Sequence, residues 1–205
     1  MELTVEWIIV RHGQTKWNAE RRYLGHTDLA LLPGEEALLR PLASELHGLG
    51  FCAVYSSDLR RCPETLQRVR PDLIAGARFD QRLREMNFGE WEGKTYDMLK
   101  DNPFYREWID HPEQVTPPGG ESWEHFSSRV SGFCTEVMSE MLNRAEQTHD
   151  ARDPAFSLYP PRILVLTHGG VVRLLRTLLL PGASFREYQA GTGSMLRIPV
   201  QVGRH

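Results

Sequence analysis

Two histidines in this chain stand in matching settings. Arg11-His12-Gly13 closes the apolar run from Val5 to Val10, and His168-Gly169-Gly170 closes the run from Arg162 to Thr167. Short apolar runs of this kind read as buried strands of a parallel sheet. In open α/β sheets, ligands lie in the crevice at the carboxyl ends of the strands. Both histidines therefore fall where reacting groups gather. Each is followed by glycine, which lets a ligand approach the backbone. The second also opens a helix, whose free N–H groups favour an anion. A third run, Phe51 to Tyr55, leads into Ser56-Ser57-Asp58-Leu59-Arg60-Arg61. One rim thus collects two histidines and several arginines. Arginine holds phosphate with a rigid fork of donors, and cationic neighbours keep an imidazole neutral. A neutral imidazole can attack phosphorus, and the leaving alcohol then needs an acid. Glu85, in Leu83-Arg84-Glu85-Met86-Asn87-Phe88-Gly89, is the candidate; its bland alternative is an ion pair with Arg82 or Arg84.

The elements that must position these residues follow from the pattern. A helix is expected from Pro33 to about His47, with Leu32 as a poor N-cap and Pro41 as a kink. Residues 14–32 before it read as loop. A second helix should start at Ser56-Ser57-Asp58 and reach Val69, distorted beside Arg60 and Arg61 by Pro63. A short strand is placed at Ala77–Phe79, and one or two short helices between Thr95 and Asp110. Trp123, Phe126, Val130, Phe133, Val137, Met141 and Ala145 recur at spacings of three and four. They define a core-facing helix from Ser122 to about Gln147. Residues 148–161 read as a long loop, and a last strand as Ser194 to about Gln201. Strands alternating with helices give an α/β class with a largely parallel sheet. The whole chain, 1–205, is expected to be one domain with a helical and loop excursion at about 92–121.

The motifs together resemble the histidine phosphatase superfamily, the phosphoglycerate-mutase-like fold. They are Val10-Arg11-His12-Gly13-Gln14-Thr15 with Asn18, Gly25-His26-Thr27-Asp28, Ser56 to Arg61 with Thr65, Leu83 to Gly93, Gly119-Gly120-Glu121-Ser122, and Thr167-His168-Gly169-Gly170-Val171. The resemblance implies a three-layer α/β/α fold. It implies that His12 is the nucleophile that forms a phosphohistidine. Arg11 and Arg61 are similar to the phosphate-clamping arginines, and His168 to the second pocket histidine. Glu85 is similar to the proton donor that later activates water, so activity should favour mildly acidic to neutral pH. Asn18 resembles a further phosphate contact, and Thr15, Gly169 and His26, within or beside the same motifs, are further candidates for binding substrate. Arg61-Cys62-Pro63 departs from the Arg-Ala common in the family and leaves Arg60 as the alternative clamp. No metal or other cofactor is implied.

Three functions compete: a phosphomonoesterase for a small phosphorylated metabolite, a cofactor-dependent phosphoglycerate mutase, and a pocket that only binds. Residues 102–118 carry one basic residue, Arg106, where mutases have an arginine pair. Phe88-Gly89-Glu90-Trp91-Glu92-Gly93 and the Trp108 to Ser122 segment resemble the phosphatase branch, including α-ribazole phosphatases. Composition agrees with an ordinary globular enzyme. The 205 residues are 40% hydrophobic and 25% charged, which excludes disorder and fibres. A net charge of −3 gives no reason to expect nucleic acid. No apolar run reaches the ~18–20 residues that span a membrane, and Glu2 and Glu6 with no basic residue do not make a secretory signal. Three scattered cysteines suit a reducing cytoplasm. Oligomeric state is not legible.

Overall fold

The computed structural model of the chain describes residues 3–148 and 160–203. Its centre is a five-stranded sheet in the order β3-β2-β4-β1-β5. The strands are β1 (Leu3–Arg11), β2 (Ala53–Ser56), β3 (Arg78–Phe79), β4 (Arg162–Thr167) and β5 (Met195–Val202). β1 pairs parallel with β4, and β2 pairs parallel with both β4 and β3. β5 alone is antiparallel, against β1. The sheet is therefore mostly parallel, as the alternation of elements predicts. Successive side chains on a strand point to opposite faces. In β1, Trp7 and Ile9 join one core with Phe126, Val130 and Phe133, whereas Ile8 and Val10 join another with Leu39, Leu42 and Leu66. Helices cover both faces: α2 (Glu35–Leu46) and α3 (Arg61–Val69) on one, α6 (Trp123–Thr148) and α7 (Gly169–Leu179) on the other. This is the three-layer arrangement.

Several boundaries differ from expectation. Residues 14–32 are not all loop, because Lys16–Ala19 form a short helix, α1. Thr15 caps it, and Thr15 and Asn18 exchange side-chain and backbone hydrogen bonds in a reciprocal box. α2 starts two residues after Pro33. Its N-cap is Gly34, at φ 82°, not Leu32; a left-handed φ is open to glycine at little cost. Pro41 lies within α2, where its ring removes a bond to the Ala37 carbonyl. β2 begins at Ala53 and runs to Ser56, so α3 begins only at Arg61. Pro63 then sits in the first turn, where helix N–H groups lack partners anyway. The Leu59 carbonyl accepts from the Cys62 N–H at 2.8 Å instead, so the expected distortion has no cause.

The excursion holds α4 (Tyr96–Leu99) and α5 (Pro103–Asp110). Trp91, Leu99 and Tyr105 form a small core of their own there, flanked by Tyr23, Phe88 and Trp108. Residues 149–159 of the expected long loop lie outside the described residues. Among the described residues, no helix is long and apolar enough to cross a membrane.

Candidate active site

Register explains why two distant histidines meet. Arg11 and Thr167 are partners in the β1–β4 ladder, so His12 and His168 are the next residues on adjacent parallel strands. The His12 N–H continues the pattern by donating to the Thr167 carbonyl at 3.0 Å. The two rings approach edge to face, with centroids 5.1 Å apart.

His12 is buried, and its Nδ1 lies 2.6 Å from the Gly13 carbonyl. A carbonyl only accepts, so Nδ1 carries the proton and donates. Nε2 is then left with its lone pair and no partner among the described residues. Burial, reinforced by the charges of Arg61 and Arg11, holds the ring well below its ordinary pKa. It stays neutral, as a nucleophile must. The neighbouring turn is fixed by the Gly13 N–H donating to Thr65 Oγ1 at 2.9 Å, and Thr65 Oγ1 donating to the Arg61 carbonyl at 2.6 Å.

Arg61 is fully buried. Nη2 donates to the Gly25 carbonyl at 2.7 Å and Nη1 to the Thr27 carbonyl at 3.0 Å. Nε donates to His168 Nδ1 at 3.1 Å. The last bond fixes the other tautomer: Nδ1 accepts, so Nε2–H donates to Ser57 Oγ at 2.8 Å. His168 is thus neutral, its pKa lowered by burial and then by Arg61. Both its ring nitrogens are taken up, so it orients Arg61 rather than offering a free nitrogen to a ligand. Arg60 is exposed and pairs with Glu64, so Arg61 is the one inside.

Arg11 donates from Nη1 to the Ala190 carbonyl at 2.6 Å, and its buried Nε has no partner. A desolvated guanidinium N–H without an acceptor costs about 1–3 kcal/mol, a penalty that an incoming anion removes. Glu85 is buried beside it. Its Oε1 accepts from the Met86 N–H at 2.9 Å and its Oε2 from the Gly170 N–H at 2.8 Å, leaving one lone pair on each oxygen. Arg82 pairs with Asp80 and Glu136, and Arg84 with Asp58, so neither is the partner of Glu85. Of the two glycines after His168, Gly170 is the one without room for a side chain. A Cβ on Gly169 would lie 3.3 Å from Arg11 Cζ, and one on Gly170 would collide with the Glu85 carboxylate.

These groups border a cleft of about 620 Å³. Arg11, Asn18, Glu85, Gly169 and Gly170 line one part; Tyr23, Phe88, Tyr105, Trp108, Trp123 and Phe185 supply aromatic walls. His12, Arg61 and His168 are buried and are not among the lining residues. Asn18 Oδ1 accepts from the Thr15 N–H and hydroxyl, at 3.1 and 2.8 Å, which leaves its amide N–H groups for a ligand. Thr15 is itself buried and engaged with Asn18, so it positions Asn18 and does not face the cleft. His26 does not line the cleft either. Its N–H is held by Glu92, and its ring feels the charges of Arg129, Glu121 and Arg84, outside the cleft lining.

Three supporting residues escaped the sequence argument. Arg129 of α6 donates to the carbonyls of Arg82, Arg84 and Glu85, at 2.7, 2.7 and 2.9 Å, and pairs with Glu121. It fixes the loop that carries Glu85. Glu92 accepts from the N–H groups of His26, Thr27 and Phe88 and so holds the loop whose carbonyls grip Arg61. Arg173, one turn along α7 from Gly170, also lines the cleft. Glu92 lies inside a quoted motif and Arg129 sits beside an apolar helix stripe, but neither type nor spacing says which carbonyls a buried charge will reach. Among the described residues, no cluster of three His, Cys, Asp or Glu side chains could hold a metal ion.

The family model described as histidine phosphatase superfamily, branch 1, matches residues 7–204. The chain belongs to the histidine phosphatase superfamily. Among solved structures, an α-ribazole phosphatase from Shigella flexneri superposes with a TM-score of 0.76 at 25% identity, covering 97% of this chain and 94% of that one. The protein TTHB049 from Thermus thermophilus superposes at 0.67 with 30% identity, covering 98% and 99%. A Salmonella paratyphi B protein named "Probable phosphoglycerate mutase GpmB" is 34% identical over 124 residues, which are 60% of this chain and 58% of that relative. The match thus spans little more than half of the curated relative's length.

Proposed function

We propose that this member of the superfamily is a phosphomonoesterase that hydrolyses a small phosphorylated metabolite through a phosphohistidine. The observation that carries it is the tautomer of His12: Nδ1–H is tied to the Gly13 carbonyl and Nε2 is bare. In the first step Nε2 attacks phosphorus in line, the P–N bond forms, and the ester P–O bond breaks. Glu85, protonated, gives its proton to the leaving oxygen. In the second step Glu85, now a carboxylate, takes a proton from water. That water attacks phosphorus, the P–N bond breaks, and inorganic phosphate leaves. Arg11 and Asn18 contact the phosphoryl oxygens, and buried Arg61 adds positive charge beneath them. Charge neutralisation and positioning, not covalent chemistry, do most of the work in such transfers. Dividing the reaction into two displacements lowers each barrier.

The substrate reading rests on the cleft. Aromatic walls suit a flat or apolar leaving group, and relatives named α-ribazole phosphatase make α-ribazole 5′-phosphate a member of the test panel. A relative named as a mutase makes 3-phosphoglycerate another. Transfer to a second substrate hydroxyl in place of water would turn the same site into a mutase. Arg106, the one Lys or Arg of residues 102–118, is exposed and binds the Tyr96 hydroxyl at 2.8 Å, which favours hydrolysis.

The test is phosphate release from a panel of monoesters without added metal, by wild type and His12→Ala, with mutase turnover followed in the same reactions. Release that disappears in the variant is expected. Isomerisation of phosphoglycerate without release would move the protein to the mutases, and release that survives in His12→Ala would refute the nucleophile.

A further inference from the structure

Charge in the cleft is unbalanced. Arg11, Arg173 and Arg186 line it, and none of them forms an ion pair with a described carboxylate, whereas Arg70, Arg78, Arg82 and Arg84 each do. Arg22, also in the lining, pairs with Glu20. Glu85 is the one carboxylate among the lining residues, and the proposed first step needs it protonated. Arg61 adds a further charge below. A phosphate monoester brings about two negative charges. Positive charge is left over, and a half-buried cation without a counterion is costly.

Geometry singles out Arg173. It lies three residues after Gly170, the residue whose N–H holds Glu85, hence on the same face of α7 and about 4.5 Å further along. Its Nε donates to the Phe185 carbonyl at 2.9 Å, and its Cζ stacks 4.0 Å over the Phe185 ring. Stacking and that bond fix the plane of the guanidinium. Both Nη nitrogens remain without a protein acceptor among the described residues, and they are not shielded from solvent. The field of Glu85 acts on Arg173, as does that of Arg186. Arg186 is exposed and donates to the Asp110 carbonyl at the end of α5, 2.7 Å away, tying the two rims of the cleft together.

We propose that the leaving group carries a second anionic group, carboxylate or phosphate, on an apolar body, and that the Nη atoms of Arg173 receive it. This rests on the phosphatase reading. The leaving oxygen sits at Glu85, the apolar body lies against the aromatic walls, and the second anion reaches the fixed fork one turn along α7. Arg173 is then a specificity residue, acting on the part of the substrate that does not react.

The test uses matched pairs: carboxyphenyl phosphates against the corresponding carbamoylphenyl phosphates, which keep the shape and remove the charge, with phenylene bisphosphates as the phosphate arm. Wild type should prefer at least one carboxylate or bisphosphate isomer over its neutral partner by about tenfold in kcat/KM, carried by KM. In Arg173→Gln that ratio should fall towards one, and in Arg173→Lys it should be partly kept. Equal use of charged and neutral partners by wild type would overturn the proposal. So would an intact ratio in Arg173→Gln, which would mean that Arg173 only braces Phe185. If no compound is turned over, the phosphatase reading fails separately. Calorimetric titration of the same pairs into wild type and Arg173→Gln still decides on Arg173: tighter binding of the charged partner that the variant loses supports it, and equal affinities refute it.

Discussion

Acid should weaken this protein before its carboxylates are titrated, because two buried imidazoles must stay neutral. His12 and His168 are 3% and 0% exposed, and burial holds both well below the ordinary value of 6.5, with Arg61 as the next cause for each. The sign follows directly. In the unfolded chain each ring takes up a proton as pH falls through 6.5; in the fold it does not. The stability they represent is therefore complete above pH 6.5 and is lost as pH falls towards the folded values. Between pH 7 and pH 5 the loss is at most about 2 kcal/mol for each ring, about 4 together. That is a large part of a typical total of roughly 5–15 kcal/mol. Asp58 and Asp80 lie below their ordinary 3.8 because of their pairs with Arg84 and Arg82, so their losses begin at lower pH. Half-buried His26 is also lowered and adds a smaller contribution of the same sign. Urea unfolding at a series of pH values reads the effect. With a slope of about 2 kcal/mol/M, the midpoint should fall by about 2 M between pH 7 and pH 5. His12→Asn should remove close to half of that pH dependence. A midpoint flat over this interval, or a variant with the wild-type slope, would mean that the rings are charged or hydrated in the fold, and the neutral-nucleophile argument would fail.

Two substitutions test the steric and charge assignments. Gly170→Ala should lower kcat by about a hundredfold with little change in melting temperature, because its Cβ displaces the Glu85 carboxylate; wild-type kcat in this variant would show that the position of Glu85 is unimportant. Arg60→Ala should stay within about 0.5 kcal/mol of wild-type stability and within twofold in activity, whereas Arg61→Lys, which loses the fork to Gly25, Thr27 and His168, should lose a hundredfold or more in kcat/KM. The opposite ranking, read by kinetics beside thermal melts, would return the clamp to Arg60.

How much of this was legible depends on where each interaction is encoded. His12 and His168 could be placed because strand-end chemistry is local: an apolar run, then a polar residue, then glycine. The class of the sheet followed from the same runs. Asn18 belongs to a reciprocal capping box with Thr15, whose short helix is masked in the sequence by the turn formers around it. α3 was begun too early, since Ser56-Ser57-Asp58 looks like a cap while the Ser57 N–H in fact continues the sheet by donating to the Leu166 carbonyl at 2.9 Å. The apparent clash of Pro63 disappeared with that shift. Tertiary partners were not legible. Nothing in the types or spacing says that His168 Nδ1 would accept from Arg61, or that His26 would lie outside the cleft lining.

The same division separates chemistry from substrate. The phosphate end of the site is built from strand ends in register, from turns closed by main-chain bonds, and from buried charges that cannot move without unsatisfied neighbours. Its geometry is fixed by many bonds at once, which suits the phosphate-binding role proposed for it. The leaving-group end is assembled from Tyr23, Phe88, Tyr105, Trp108, Trp123 and Phe185, contributed by separate loops and helix ends that meet only after folding. Tyr105 belongs to the small core around Trp91, with Tyr23, Phe88 and Trp108 packed against it, and that core stands apart from the sheet, so size and charge can change there without unmaking the sheet. Relatives named as phosphatases and as a mutase can therefore share one phosphate end and differ in what they act on. In this chain that end also carries Arg173, whose guanidinium is held flat against Phe185 by a bond and a stack, with its outer nitrogens unpaired among the described residues. A solvated arginine would not be fixed in this way, and a structural one would not leave that part of its fork facing the cleft.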